Sequence, residues 1–232
     1  MRDVPFGWLL RYTHAVGASM FFGVVYLHIF RCFYYGSYKK PREIVWLSGV
    51  GLLLVVTLFA FTGYLLPWDQ KAYWATVVGT NVASNVPLIG GFLVRIARGG
   101  AELGSLTLSR FFAVHTYILP SLLAIFAIAH VFFIEKIGAS GHYDAKRNAE
   151  KKSEPLFPHQ VFKDTVFFFL IFVGLIALAK YWPAPLEGQA DPTDSSYIPR
   201  PEWYFYFLFQ LLKYFEGKME IVGAVILPGV FF

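Results

Sequence analysis

Long apolar runs separated by polar stretches set the pattern of this chain. Residues 44–68 run for 25 positions without a charge, and residues 111–134 for 24. Residues 12–30 form a run of 19 that carries two histidines. Residues 161–182 form a weaker fourth run, interrupted by Lys163, Asp164 and Lys180, with only 15 uncharged positions between residues 165 and 179. A helix rises about 1.5 Å per residue, so a hydrocarbon core of ~30 Å needs about 20 apolar residues. The pattern therefore predicts membrane-spanning helices. A fifth apolar stretch, residues 223–232, stops after ten positions and reads as a span cut off by the chain end. No cleavable leader is visible after Met1, and the chain reads as a fragment at both ends.

The connections differ in character. Residues 31–43 are short and basic, and residues 135–159 are polar and charged. Residues 69–110 form a connection long enough to be functional or to contain surface helices. Residues 181–201 are rich in Pro and Asp. With alternating spans, the connections 31–43 and 135–159 share one side of the membrane. That side, extended to Asp164, holds 10 of the 20 Lys and Arg residues, and its tight 31–43 turn leans towards the cytoplasm.

Composition strengthens the membrane reading. Hydrophobic residues make up 56% of the 232 and charged residues only 15%, against about 25% in a soluble domain. Mean hydropathy is +0.52. This excludes a disordered chain, a coiled coil and a nucleic-acid-binding basic protein. A net charge of +5 sits between apolar runs, as membrane-surface flanks do. A single cysteine, Cys32, excludes both an internal disulfide and a C-x-x-C-H attachment of c-type haem. The fold class is all-α: a polytopic transmembrane helical bundle.

The histidines carry the candidate chemistry. His14 and His28 are 14 residues apart in the first run, and His115 and His130 are 15 apart in the third. At about 100° per residue, each pair returns to roughly one helix face, about 21–22 Å apart along the axis. Alternate spans run parallel, so His14 comes level with His115 and His28 with His130. Two imidazoles per level, with apolar surroundings, form the donor set of a b-type haem, giving two haem-binding helices. Zinc fits poorly, because no Cys or carboxylate accompanies the histidines within the spans. A lone membrane histidine can simply bond a neighbouring helix, but two matched pairs argue for a cofactor.

Other positions fit two readings each. Gly49 and Gly63 repeat the 14-residue interval, which suits close approach of a ring, although glycine is common in membrane helices. Arg11, Arg31 and Arg110 lie near the histidines, to pair with haem propionates or to snorkel at span ends. Pro120 falls between His115 and His130 and should bend that helix or shift its register, accommodating the longer spacing.

These residues sit in stretches that resemble the cytochrome b subunit of quinol-oxidising cytochrome bc and bf complexes: RYTHAVGAS (11–19), LHIFRCFYYGSY (27–38), GYLLPWDQKAYWA (63–75), SRFFAVHTYILP (109–120) and PEWY (201–204). They occur in family order over nearly the whole chain; the 15-residue spacing resembles the plastoquinol and Gram-positive menaquinol branch, and residues 196–214 resemble the bacterial menaquinol type. The resemblance implies two non-covalent b-type haems, an outer low-potential one on His14 and His115 and an inner high-potential one on His28 and His130. It implies quinol oxidation on the outer side, where Glu202, Tyr204 and Tyr64 would be catalytic and Pro201 and Trp203 would line the quinol pocket. Lys163 and Asp164 match an inner quinone-site pair, or are only a charged span start. The implied division is a dihaem bundle part with surface helices in residues 1–160 and a quinol-site segment in residues 161–232.

Glu202 also has a chemical argument. A carboxylate at the mouth of a dry pocket can take a proton from a quinol hydroxyl, and burial would suit it to that task. The competing reading is an acid favoured at a helix start after Pro201. The implied partners are a Rieske iron–sulfur protein, a cytochrome c-type subunit or acceptor, quinone, the bilayer and a second copy in a homodimeric complex. The implied location is the bacterial cytoplasmic membrane, with proton translocation as the output. Two alternatives stay open: the dihaem anchor of another dehydrogenase, and a non-redox membrane subunit. No phosphate loop or nucleophile motif competes.

Overall fold

The computed structural model describes residues 4–138, 155–194, 196–215 and 217–227. Among these residues the architecture is helical, with one isolated bridge between Asp69 and Gln189. The helices are α1 (Gly7–Tyr34), α2 (Glu43–Leu65), α3 (Gln70–Ser84), α4 (Gly90–Arg98), α5 (Ser105–Ala113), α6 (Leu119–Ile137), α7 (Val161–Tyr181) and α8 (Tyr206–Tyr214). A π-helical turn, Val114–Ile118, joins α5 to α6, so that one helical rod runs from Ser105 to Ile137.

Among the described residues, four helices are long and apolar enough to cross a membrane: Gly7–Tyr34, Glu43–Leu65, Ser105–Ile137 and Leu156–Tyr181. They overlap the four apolar runs. The fourth tolerates its charges because Asp164 lies in the first turn of α7 and Lys180 in the last, where the helix dipole favours them and long side chains reach the interface. The stop of α2 comes three residues before the end of its apolar run. Pro67 offers no N–H to continue the ladder, and Trp68 turns at φ 53°. Gly36, at φ 63°, ends the α1 segment in the left-handed conformation that glycine adopts without strain.

The chain forms two compact units that interleave along the sequence. Unit one is Met1–Glu43 with Glu135–Pro185; unit two is Ile44–Ile134 with Leu186–Phe232. In unit one α1 packs on α7, and a side chain at Gly17 would lie 3.8 Å from Leu175, an ordinary contact. Arg11 donates to the Ala184 carbonyl, and Arg42 Nε donates to the Gly138 carbonyl at 3.1 Å.

Unit two contains the long 69–110 connection, which folds into α3, α4 and the first residues of α5. Asp69 caps α3, its Oδ1 accepting from Ala72 N at 2.8 Å, an arrangement worth about 1 kcal/mol. Arg98 ties the hairpin together: its guanidinium donates to Thr80 Oγ1 and Asn81 Oδ1, and its carbonyl accepts from Thr107 Oγ1 at 2.6 Å. Thr76, Thr80 and Thr107 are fully buried there, each hydroxyl bonded to a backbone carbonyl. Gly99, at φ 80°, closes α4.

Candidate functional site

The histidines of the third span are seated by α2. A Cβ built on Gly63 would lie 2.5 Å from His115 Cε1, and one on Gly49 would lie 3.3 Å from His130 Cε1. The first distance is closer than any real Cβ contact, so only glycine leaves the His115 ring its place. The 14-residue glycine interval thus sets one ring at each of two depths along α2. The hydroxyls just before these glycines bond the same rings. Ser48 Oγ lies 2.8 Å from His130 Nδ1, and Thr62 Oγ1 lies 3.1 Å from His115 Nδ1. Phe59 meets the His115 ring edge-on, with centroids 5.2 Å apart and planes 80° apart.

The donor set fits a haem. Each ring uses Nδ1 towards a hydroxyl, which leaves Nε2 as the nitrogen for iron, and the surroundings are apolar. His115 and His130 belong to unit two. His14 and His28 lie on α1 in unit one, both exposed along one continuous helix.

The longer spacing in the third span has a structural cause. Leu119 N bonds Val114 O, a step of five residues instead of four. This π turn lies just ahead of Pro120, whose missing N–H cannot serve the carbonyl one α turn back. One extra residue is absorbed there, and the histidines 15 apart turn as an α pair 14 apart would. The expected register shift is present, and the π turn, rather than a bend at Pro120 alone, provides it.

The three arginines are engaged locally. Arg11 meets the Ala184 carbonyl, and the Arg31 guanidinium stands 5.4 Å from the centre of the Tyr35 ring. Arg110 donates to the carbonyls of Arg95 and Ile96 at the end of α4. In that place it neutralises the negative end of a short helix.

A second cluster forms where the PWDQK stretch meets the 186–204 segment, all in unit two. Gln70 N donates to Gly188 O at 2.9 Å, and Ala190 N donates to Trp68 O at 3.3 Å. Asp69 Oδ2 accepts from Glu187 N at 3.2 Å. Gln70 Oε1 accepts from Asp191 N at 2.7 Å, while its Nε2 donates to Asp194 Oδ2 at 3.0 Å. This clamp holds the segment that leads into PEWY, and Lys71 Nζ then reaches Glu202 Oε1 at 2.8 Å. The same ammonium stands 5.5 Å from the centre of the Tyr64 ring.

Glu202, expected at the mouth of a dry pocket, is half-buried and paired with a cation. It is 35% exposed and ion-paired, and it precedes the 3₁₀ turn Trp203–Phe205 with non-helical backbone. Tyr204 is buried and packs edge-on against Phe205 with centroids 5.0 Å apart. The Tyr64 hydroxyl is buried without a hydrogen-bond partner among the described residues. Pro201 lines an open recess with Arg200, Tyr206, Phe207 and Gln210, and Trp203 is exposed.

Charge around the clamp shifts its titrating groups. Burial pulls the Lys71 ammonium down, but the Glu202 bond and the Glu187 charge outweigh it, and the net direction is upward. The Tyr197 phenol is pushed up to about 12 by burial and by its hydrogen bond to Glu187. Hydroxyl and backbone donors of Thr193 hold Asp191 below the ordinary carboxylate range, and those of Ser196 do the same for Asp194.

Lys163 and Asp164 lie exposed in the first turn of α7, with Asp164 Oδ1 accepting from Gln160 Nε2 at 2.8 Å. His159 is exposed, and His142 lies outside the described residues. Sequence reasoning missed Ser48, Thr62, Asp69, Gln70 and Lys71 as site residues. Their signals were local: a hydroxyl ahead of each spaced glycine, and an Asp in cap position after Pro67.

Comparison with known proteins places these features in context. Residues 19–189 match the family described as "Cytochrome b(N-terminal)/b6/petB". The chain is 40% identical over 238 residues to a cytochrome b of Rickettsia conorii, covering all of this chain and 59% of that protein. It is 41% identical over 227 residues to a cytochrome bc complex cytochrome b subunit of Chlorobaculum thiosulfatiphilum, covering 97% of this chain and 53% of that one. Among solved structures it is similar to a chain of a hyperthermophilic respiratory Complex III, with a TM-score of 0.82 and 29% identity over 98% of this chain and 62% of that one. The chain thus spans somewhat over half the length of these relatives.

Proposed function

The chain belongs to the cytochrome b family, and on that premise we propose that it works in a quinol-oxidising bc-type complex, moving electrons across a bacterial cytoplasmic membrane. The observation that carries this reading is the paired seating of His115 on Gly63 and His130 on Gly49. His14 and His28 supply the second imidazole at each level. When bound, two b-type haems supply one-electron transfer between the two faces of the membrane.

The chain's own residues handle position and protons. Quinol enters on the side of the GYLLPW and PEWY stretches, lined by Pro201, Trp203 and the rings of Tyr64 and Tyr204. Quinol oxidation releases two electrons and two protons. Glu202 is the base: its carboxylate takes one proton from a quinol hydroxyl and, being partly exposed, passes it to outer water, and the second proton leaves to the same water. One electron leaves to a Rieske-type iron–sulfur partner, with a cytochrome c-type acceptor beyond it. The other crosses to an inner quinone near Lys163 and Asp164. Residues 1–160 supply the haem-binding part and residues 161–232 the quinol-site part of a homodimeric complex. Arg11, Arg31 and Arg110 are the candidates to pair with haem propionates, each with more guanidinium donors than a carbonyl or ring contact occupies.

The test is a reduced-minus-oxidised spectrum of the purified complex, followed by the rate of a Glu202→Gln variant. Two b-type components, and quinol oxidation slowed by roughly 10²-fold or more, are expected. Absence of a haem band sinks the haem reading, and an unchanged rate removes Glu202 from its role.

A further inference from the structure

Helix α2 repeats one dipeptide at two depths. Ser48-Gly49 and Thr62-Gly63 each place a hydroxyl immediately before the glycine that seats a histidine ring. The direction of these hydrogen bonds follows from the hydroxyl's other partner. Ser48 Oγ donates its one proton to Val45 O at 2.8 Å, and Thr62 Oγ1 donates to Leu58 O at 2.8 Å. Each oxygen has then only lone pairs to offer the ring nitrogen beside it. The ring must bring the proton, so both imidazoles carry it on Nδ1. That tautomer leaves a lone pair on Nε2, the form that ligates a metal.

We infer that Ser48 and Thr62 are positioning residues for the iron ligands His130 and His115, each fixing the tautomer and the plane of one ring. The inference rests on the haem reading above and goes beyond it. Hydroxyls in membrane helices often bond a carbonyl one turn back, and that habit explains the first bond of each. It does not explain why the same oxygen meets an imidazole nitrogen in both cases, 14 residues apart. The arrangement is a relay from backbone carbonyl to hydroxyl to ring. It draws on the Nδ1 proton and so leaves more electron density on Nε2, which favours ferric over ferrous iron.

The assignment predicts site-selective effects on potential. Thr62→Val keeps the side-chain shape and removes the hydroxyl. A tenfold loss of preference for the ferric form raises a one-electron potential by about 59 mV. A rise of this order is expected for the haem on His115 alone. Ser48→Ala should raise only the haem on His130, and Thr62→Ser and Ser48→Thr should restore the original values. The measurement is a potentiometric titration of the purified complex, with low-temperature electron paramagnetic resonance of the ferric haems as a second readout. Selective loss of the one haem, in a complex that still assembles, supports the same assignment. Potentials and resonance unchanged in both Thr62→Val and Ser48→Ala, or both haems shifting alike in each, overturn it. Absence of any b-type spectrum in the unaltered complex overturns instead the reading on which it rests.

Discussion

The two seating glycines differ in how little room they leave. Alanine at position 63 would drive its methyl to 2.5 Å from His115 Cε1, whereas at position 49 the gap to His130 is 3.3 Å. Helical backbone cannot yield by several tenths of an ångström without breaking its ladder, so at position 63 the ring must move. Gly63→Ala is therefore expected to lose most of the haem on His115. Gly49→Ala should keep its haem with a shifted absorption band, and the haem content of purified complex checks both. The glycine interval was legible in the sequence because the repeat of 14 matched the histidine spacing. The hydroxyls were not legible, since a Ser or Thr ahead of a glycine is unremarked in a membrane helix until a ring nitrogen is found against it. Glu202 stood out in the PEWY stretch but its ion pair did not: nothing in PEWY alone announces a lysine 131 residues away.

At the level of elements, the π turn Val114–Ile118 is what lets a span with 15 between its histidines behave like one with 14. Removing one residue from that turn, for instance Ile118, should give a continuous α-helix with both rings still on one face. Haem content is then expected to stay within about twofold of the unaltered complex. Adding a residue there instead turns His115 by about 100° from its glycine and should abolish that site. Difference spectra distinguish the cases, and loss of both haems in the deletion would refute the account. The sequence showed the odd spacing and the proline together, but a π turn is a choice of hydrogen bond, and either a kink or an added turn would have fitted. Span existence was plain from charge-free length. Span ends were less so, because charged residues such as Lys163 and Asp164 belong to the helix when the interface can receive them.

For the molecule as a whole, unit two is closed by contacts between distant stretches, and that closure depends on charge. Asp191 and Asp194 lie below their ordinary value of 3.8 because Thr193 and Ser196 donate to their charged forms. A carboxylate so lowered stabilises the folded loop above that value, and its contribution fades as pH falls through the lowered folded value. Acidification below the ordinary aspartate range should therefore loosen residues 187–194 before α3. Hydrogen exchange corrected for intrinsic rates tests this, and equal protection of both at low pH would contradict it. The membrane architecture was readable from apolar runs alone, whereas the clamp was not. It consists of backbone bonds and three side chains, Asp69, Gln70 and Asp194, and no periodicity records such partners.

The contacts also carry an order in time. A ribosome must make 53 residues beyond Thr62 before His115 exists, and 82 beyond Ser48 before His130 does. The Lys71–Glu202 pair waits for 131. A nascent chain halted after Ile137 already contains both α2 seats and the histidines they face, while Glu202, the proposed base, is still unmade. On the function proposed above, cofactor loading can then precede completion of the proton site, and a half-made chain lacks the base it would use on quinol.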